Sequence, residues 1–280
     1  MSDAVILSGR KFAKKVRSSL KKEIQEADKP PPGLAVIIVG DDPASRVYVS
    51  MKEKACAKTG IQSTVIRLEE TVSQKELLEE IDALNRDDSV HGILCQLPLP
   101  DHISPDRVAS AVLPRKDVDG FNPVNVGRLW RGEEGLFPCT PTGIVEMLKH
   151  YSIEMDGARA VIIGRSNIVG KPMAALLLRE HSTVSIAHSH TGGLKELSRT
   201  ADILVAAVGR SEFVTSDFVK PGAAVIDVGT SRTEEGLSGD VDFENVRRKC
   251  GAITPVPGGV GPLTIAYLLS NTVQAWRNSL

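Results

Sequence analysis

Apolar and polar positions along this chain follow two periods in turn. Residues 8–26 repeat apolar side chains at helical spacing against a charged background, so an amphipathic helix is expected there, ended by Pro30-Pro31-Pro32-Gly33. Residues 34–39 are an unbroken apolar, β-branched run closed by Gly40-Asp41-Asp42-Pro43, the pattern of a buried strand and its turn. The alternation continues with a helix at 44–59, a strand at 62–68, a helix at 73–85 and a strand at 92–96. Strands separated by helices of this length need right-handed crossovers, which give a mostly parallel sheet. Functional groups of such a sheet collect at the carboxyl ends of its strands.

Residues 116–131 are rich in Asp, Gly, Asn and Pro and sustain neither period, so they read as an ordered connection between two domains. Beyond it a helix is expected at 140–150, then strands at 160–164, 183–187, 203–208 and 223–228, with a helix at 193–198. The fold class is therefore α/β: an N-terminal, mostly parallel αβ domain and a Rossmann-like nucleotide-binding domain. The expected boundaries are 1–118 for the first, 119–139 for the linker and 140–262 for the second. The segment 203–208 is β-branched enough to be either core or interface.

The second domain is organised around Val161-Ile162-Ile163-Gly164-Arg165-Ser166-Asn167-Ile168-Val169-Gly170-Lys171-Pro172. A short strand stops at a glycine, passes a polar turn, and meets a second glycine before a helix-compatible segment at 173–179. That sequence of parts places backbone N–H groups and a helix dipole towards a pyrophosphate. Ser166 stands where a second glycine belongs and Gly170 comes one residue late, so an ordinary strand-to-helix turn stays open beside a dinucleotide site. At the end of the next strand, where NAD sites carry an acidic residue, the chain reads His188-Ser189-His190-Thr191. Arg165 in the turn suits a 2′-phosphate, so NADP is favoured. His188 and His190 read as exposed strand-end residues.

Composition narrows the function classes. The 280 residues suffice for two modest domains, and 34 Lys+Arg against 35 Asp+Glu leave a net charge of -1, which gives no field for nucleic acid. No signal-like or membrane-length apolar run is seen, so a soluble, cytoplasmic protein is expected. Cys56, Cys95, Cys139 and Cys250 form no C-x-x-C pair and read as free thiols; the six histidines show no ligand spacing, so no metal is expected.

Two strand ends in the first domain carry candidate chemistry. Tyr48 and Lys52, four apart on the helix after the first strand, project from one face. Gln96 ends the third strand, where Pro98 and Pro100 forbid further pairing. A solvated lysine and a turn-bonding glutamine remain the plain alternatives. Asp119 beside Gly120 is equally a turn-forming residue. Tyr-x-x-x-Lys also occurs in short-chain dehydrogenases, but there it follows the nucleotide loop and here it precedes it. The loop at 255–262 holds three prolines and three glycines in eight residues and opens a helix from 263 towards 278; it is either a stiff helix start or a surface for a flat ligand.

These residues together resemble the bifunctional methylenetetrahydrofolate dehydrogenase/cyclohydrolases. The motifs are 44–52, Gly92-Ile93-Leu94-Cys95-Gln96-Leu97-Pro98, Lys116-Asp117-Val118-Asp119-Gly120-Phe121, Pro138-Cys139-Thr140-Pro141, 164–172 and Pro257-Gly258-Gly259-Val260-Gly261-Pro262, which span nearly the whole chain. Departures are Cys95 where an aliphatic residue is commoner, Leu263, and Thr230-Ser231 where Ile-Asn is frequent. The resemblance implies oxidation of 5,10-methylenetetrahydrofolate with NADP, then hydrolysis to 10-formyltetrahydrofolate, in one cleft between two domains, serving one-carbon metabolism and purine biosynthesis. It implies Lys52 as the proton-transfer group, Gln96 holding it, Tyr48 at the substrate and Asp119 on the pterin, with Pro257, Gly258 and Gly259 lining the folate site. It implies Gly164, Arg165, Ser166, Ser189 and Thr230 at the cofactor, the last helix (about 263–280) packed on the first domain, and a homodimer. Two other readings stay open: a two-domain dehydrogenase of shikimate or amino-acid type, and a non-catalytic nucleotide sensor.

Overall fold

The computed structural model describes residues 4–233 and 236–279. In chain order the first elements are β1 (Val5–Ile6), α1 (Gly9–Glu26), β2 (Gly33–Val39), α2 (Pro43–Thr59), β3 (Gln62–Leu68), α3 (Gln74–Arg86), β4 (Gly92–Cys95), α4 (Pro105–Ala111) and α5 (Pro123–Arg131). They continue with α6 (Cys139–His150), β5 (Arg159–Ile163), α7 (Gly170–Arg179), β6 (Thr183–Ala187), α8 (Leu194–Ser198) and β7 (Ile203–Ala206). After β8 (Ala224–Asp227) come the hairpin β9 (Ser231–Thr233) and β10 (Gly236–Ser238), then α9 (Phe243–Arg247), β11 (Ala252–Ile253) and α10 (Gly261–Arg277). No helix among the described residues is long and apolar enough to cross a membrane.

The chain divides into two compact units: Lys14–Cys139 with Ile265–Leu280, and the residues up to Ala13 with Thr140–Thr264. Residues 4–13 thus cluster with the nucleotide-turn unit, whereas the sequence pattern puts 1–118 in the first domain. The cause is β1, which pairs in parallel with β11, Val5 opposite Ala252 and Ile6 opposite Ile253. Two residues are too few to display a period.

In the N-terminal unit β2 lies between β3 and β4, all parallel. Its seven residues, GLAVIIV, are buried throughout, as a central strand covered on both faces requires, whereas the edge strand β3 alternates. Ile37, Leu77, Ile81, Ile93 and Val108 pack in one core cluster. Burying a side chain the size of Ile81 stabilises by about 2 kcal/mol. α2 starts where the Asp42 carboxylate accepts the Ser45 N–H at 2.7 Å with Pro43 in the first turn, and stops at Gly60, whose φ of 95° suits glycine.

The stretch expected to be an ordered connection with no sustained period contains α5. Asn122 caps it by accepting the Val124 N–H at 2.8 Å, Pro123 follows, and Gly132 (φ 75°) ends it. α10 belongs to this unit, as expected of the last helix. Its Asn271 amide donates to Val118 O and Phe137 O, both at 2.8 Å, and Trp276 Nε1 donates to Pro30 O at 2.8 Å beneath the Lys29 ammonium.

The nucleotide-turn unit is a six-stranded sheet in the order β1-β11-β8-β7-β5-β6, parallel throughout. β7 lies between β5 and β8 and is fully buried, which assigns 203–206 to the core of the sheet. Read from β6, the chain order reverses between β5 and β7. In the N-terminal unit it reverses between β2 and β4. Loops leave the carboxyl ends of such strand pairs in opposite directions, so each unit has its ligand crevice at its reversal.

Candidate active site and nucleotide site

At the β2–β4 reversal, α2 carries Lys52 and the end of β4 carries Gln96. The Lys52 ammonium donates to Gln96 Oε1 at 2.8 Å. Gln96 is held in turn: its Nε2 donates to Leu97 O at 2.6 Å, leaving only the oxygen free to face the lysine, and its own N–H donates to Ile37 O at 2.8 Å. An amide oxygen orients the amine without contributing a charge. Tyr48, one helical turn before Lys52, is 48% exposed, so its ring is presented to solvent and to whatever binds there.

Asp119 completes the group electrostatically. Burial pushes its carboxyl up to about 6, against the opposing pull of Lys52 and with a further push from Asp117. Burial likewise holds Lys52 below the ordinary lysine value, with Asp119 acting in the other direction. Burial thus moves the lysine and the carboxyl towards each other from their ordinary values, which eases proton exchange at this site relative to a solvated pair. The neighbouring thiols are not: burial pushes Cys95 up to about 12 and Cys139 well above the ordinary thiol value. All four cysteines are free, with Cys56, Cys139 and Cys250 buried.

Asp117 was not assigned a role from the sequence, although it lies inside the quoted Lys116–Phe121 motif. It is buried and accepts the N–H groups of Gly120 (3.1 Å), Phe121 (3.2 Å) and Asn122 (2.8 Å) together with the Asn125 amide (2.9 Å). Those four donors fold the chain tightly around Asp119. Gly120, at φ 74°, admits no side chain, because a Cβ would stand 2.4 Å from the Phe137 carbonyl carbon. Asn271 pins the same segment through Val118.

At the β5–β7 reversal of the other unit, two glycines are required by contact. A Cβ on Gly164 (φ 132°) would stand 2.2 Å from Ala207 O, and one on Gly170 would stand 2.2 Å from Gly164 O. Ser166 Oγ accepts the N–H groups of Val169 (3.1 Å) and Gly170 (3.3 Å), drawing the turn onto the start of α7. Ser166 therefore contributes a side-chain acceptor where a glycine was expected. The side chains of Arg165, Ser166, Ser189 and Thr230 are exposed. His188 is tied into its own turn, accepting the His190 N–H on Nδ1 at 3.2 Å while its N–H donates to Thr191 Oγ1 at 2.9 Å. Close glycine packing, a helix start and exposed cationic and hydroxyl groups fit a phosphorylated nucleotide. Pro257, Gly258 (φ 106°) and Gly259 fall in this unit too, with Gly259 buried and its N–H on Pro255 O at 2.8 Å. The structure thus brings Lys52, Gln96 and Asp119 together in one unit and places the three glycine-loop residues in the other.

Two parallel α/β units, one with a desolvated lysine at its reversal and one with a glycine turn at its own, define a two-domain α/β nucleotide-binding protein. The catalytic domain of the tetrahydrofolate dehydrogenase/cyclohydrolase family matches residues 7–119 and its NAD(P)-binding domain matches residues 138–280; the chain belongs to this family. It is 52% identical to the bifunctional protein FolD of Streptococcus thermophilus, over 99% of each chain. Among solved structures it is similar to the bifunctional FolD dehydrogenase/cyclohydrolase of Campylobacter jejuni (50% identity, TM-score 0.97, 99% of this chain and 100% of that one). It is also similar to the Trypanosoma brucei enzyme complexed with NADP cofactor and inhibitor (39% identity, TM-score 0.94, 100% and 99%). Thermus thermophilus shikimate 5-dehydrogenase, at 16% identity and TM-score 0.52, shares the fold alone, which removes the support for a shikimate-type reading.

Proposed function

We propose that this chain is a bifunctional, NADP-dependent methylenetetrahydrofolate dehydrogenase and methenyltetrahydrofolate cyclohydrolase. Family membership over both domains supports the two activities, and the observation that carries the site assignment is the 2.8 Å bond from Lys52 to Gln96 beside Asp119. NADP, when bound, supplies the acceptor for the hydride that leaves the methylene bridge. This step needs no base, so the chain's part is positioning and charge. Asp119 accepts hydrogen bonds from the amino-pyrimidine edge of the pterin, and Tyr48 packs at the substrate. Burial holds Lys52 below its ordinary pKa, so its ammonium gives up the proton more readily, which lessens repulsion of the methenyl cation as it forms.

Hydrolysis then needs a proton carried from water to N5 by Lys52 and a second proton lost to solvent. The Lys52 amine takes a proton from the water attacking the methenyl carbon. The ammonium returns one to N5 as the carbon–N5 bond breaks, while the carbinol proton leaves and the formyl group stays on N10. Gln96 keeps the Lys52 nitrogen aimed at that carbon. Gly164, Gly170 and Ser166 shape the nucleotide turn, and Arg165, Ser189 and Thr230 meet the phosphorylated ribose. Pro257, Gly258 and Gly259 contribute backbone to the folate site. A homodimer in the cytoplasm, feeding purine biosynthesis, belongs to the same proposal and is tested by sedimentation and by localisation of the intact chain. Incubation with methylenetetrahydrofolate and NADP is expected to give methenyl absorbance that rises and then decays. No rise with this pair would remove the dehydrogenase assignment, and a rise without enzyme-dependent decay would remove the cyclohydrolase.

A further inference from the structure

The loop after β7 forms one lip of the crevice at the β5–β7 reversal. Its first residue, Ala207, donates its N–H to Ile163 O at 2.8 Å, and its carbonyl oxygen is the atom that forbids a side chain on Gly164. The next three residues all turn their N–H groups onto one carboxylate. Asp240 Oδ2 accepts from Val208 at 2.6 Å and Gly209 at 3.0 Å, and its Oδ1 accepts from Arg210 at 2.8 Å. Asp240 has no exposed surface.

A second buried carboxylate fixes the first. Asp227, at the end of β8, accepts the N–H groups of Asp240 (2.8 Å), Val241 (2.9 Å) and Gly229 (3.0 Å), and its own N–H donates to Thr254 Oγ1, just past β11, at 2.7 Å. Two glycines make room for the pair. A Cβ on Gly229 would stand 2.1 Å from Asp240 Oδ1, and one on Gly239 would stand 1.9 Å from Asp227 Oδ2. Loops from the carboxyl ends of β7, β8 and β11 are thus tied through two buried side chains.

We infer that Asp240 is a positioning residue for NADP: it fixes residues 208–210 as the wall that faces the glycine turn, and Asp227 holds Asp240 in place. The inference rests on the reading of that turn as the NADP site. Three successive backbone N–H groups converging on a charge make a rigid concave surface, and Gly209 at φ 67° lets the chain curve enough to form it. Asparagine at 240 keeps one acceptor oxygen and sets an NH2 group against a backbone N–H, so part of the wall loses its anchor.

The test compares the unaltered chain with Asp240→Asn for NADP affinity by calorimetry, for KM of each substrate and for kcat. The Kd and KM for NADP are expected to rise roughly tenfold, while folate KM and kcat at saturating NADP stay unchanged. Unchanged NADP affinity would overturn the inference, as would equal weakening of folate and NADP, which marks general loosening. Hydrogen exchange on the unaltered chain gives a reading that needs no variant. The amides of Val208, Gly209 and Arg210 are expected to be protected before NADP is added; free exchange until NADP arrives would mean that the cofactor, not Asp240, orders the loop. If the unaltered chain binds no NADP, the cofactor reading falls, and the exchange result still decides what Asp240 does.

Discussion

The N-terminal unit furnishes the crevice at its β2–β4 reversal with buried ionisable side chains, whereas the nucleotide-turn unit furnishes the one at β5–β7 with a tight glycine turn and exposed polar side chains. In the first, Lys52 and Asp119 are both moved off their ordinary ionisation by burial, and Gln96 is fixed to hold one of them. In the second, the close contacts at Gly164 and Gly170 draw a tight turn onto the start of α7, the exposed Arg165 and hydroxyl side chains beside it fit a phosphate, and the buried Asp227 and Asp240 accept backbone N–H groups of the neighbouring loops. The same topological device therefore serves two kinds of chemistry. Proton transfer is eased by groups whose ionisation is displaced from the ordinary values, as burial displaces Lys52 downwards and Asp119 upwards. Holding a permanent anion needs fixed dipoles that never titrate.

Separate functions in separate units should yield to separate substitutions. The largest effect is expected from Lys52→Ala: cyclohydrolase activity falls by about 10²–10⁴, dehydrogenase activity falls less, and NADP affinity is untouched. Stopped-flow decay of the methenyl absorbance measures the first and nicotinamide reduction the second; wild-type hydrolysis in this variant would remove Lys52 from the mechanism. Asp119→Ala comes next, with folate affinity weakened roughly tenfold or more in both activities and NADP binding unaffected. A loss confined to NADP would put Asp119 on the wrong ligand. The mirror case is Gly164→Ala, whose Cβ meets Ala207 O and whose φ of 132° strains any side chain. It is expected to cost about 1–3 kcal/mol of stability and to weaken NADP while folate affinity persists, read by thermal unfolding and calorimetry.

A smaller effect follows from pH. Asp119 titrates at about 6 rather than at the ordinary 3.8, so folate affinity should weaken as pH falls through about 6 and be flat in Asp119→Asn. The linked stability has the opposite sense. A carboxyl raised in the folded state contributes fully below its unfolded pKa, and that contribution is lost as pH rises through the folded one. Asp119→Asn should therefore gain thermal stability relative to the unaltered chain at pH 8 and gain none at pH 4. A gain that is largest in acid would contradict the assigned shift.

Long periodic elements were plain in the sequence. The strand expected at 62–68 is β3 (Gln62–Leu68), and 34–39 lies within β2 (Gly33–Val39), because an apolar run flanked by Gly and Pro leaves few alternatives. Short capped pieces were not plain: α4 was not anticipated, and α5 hid in a polar stretch because Asn122 and Pro123 read equally well as a turn. The chemistry divides in the same way. Lys52 and Gln96 could be placed, one on a helix and one at a strand end, because those elements were legible, while the roles proposed for them came with the family resemblance. Asp117 and Asp240 were not, since accepting backbone N–H groups leaves no trace in composition, and the shift at Asp119 is a tertiary desolvation that no local pattern encodes.

The ionisation of Lys52 itself tests the central claim most directly. Nitrogen NMR of selectively labelled lysine, assigned with Lys52→Arg, would follow its amine through a pH titration. Lys52 should lose its proton below the ordinary lysine value of 10.5, and lower still in Asp119→Asn, where the carboxylate that favours the ammonium is gone. A titration at or above 10.5, or one indifferent to Asp119, would contradict a desolvated amine poised between its amide and its acid.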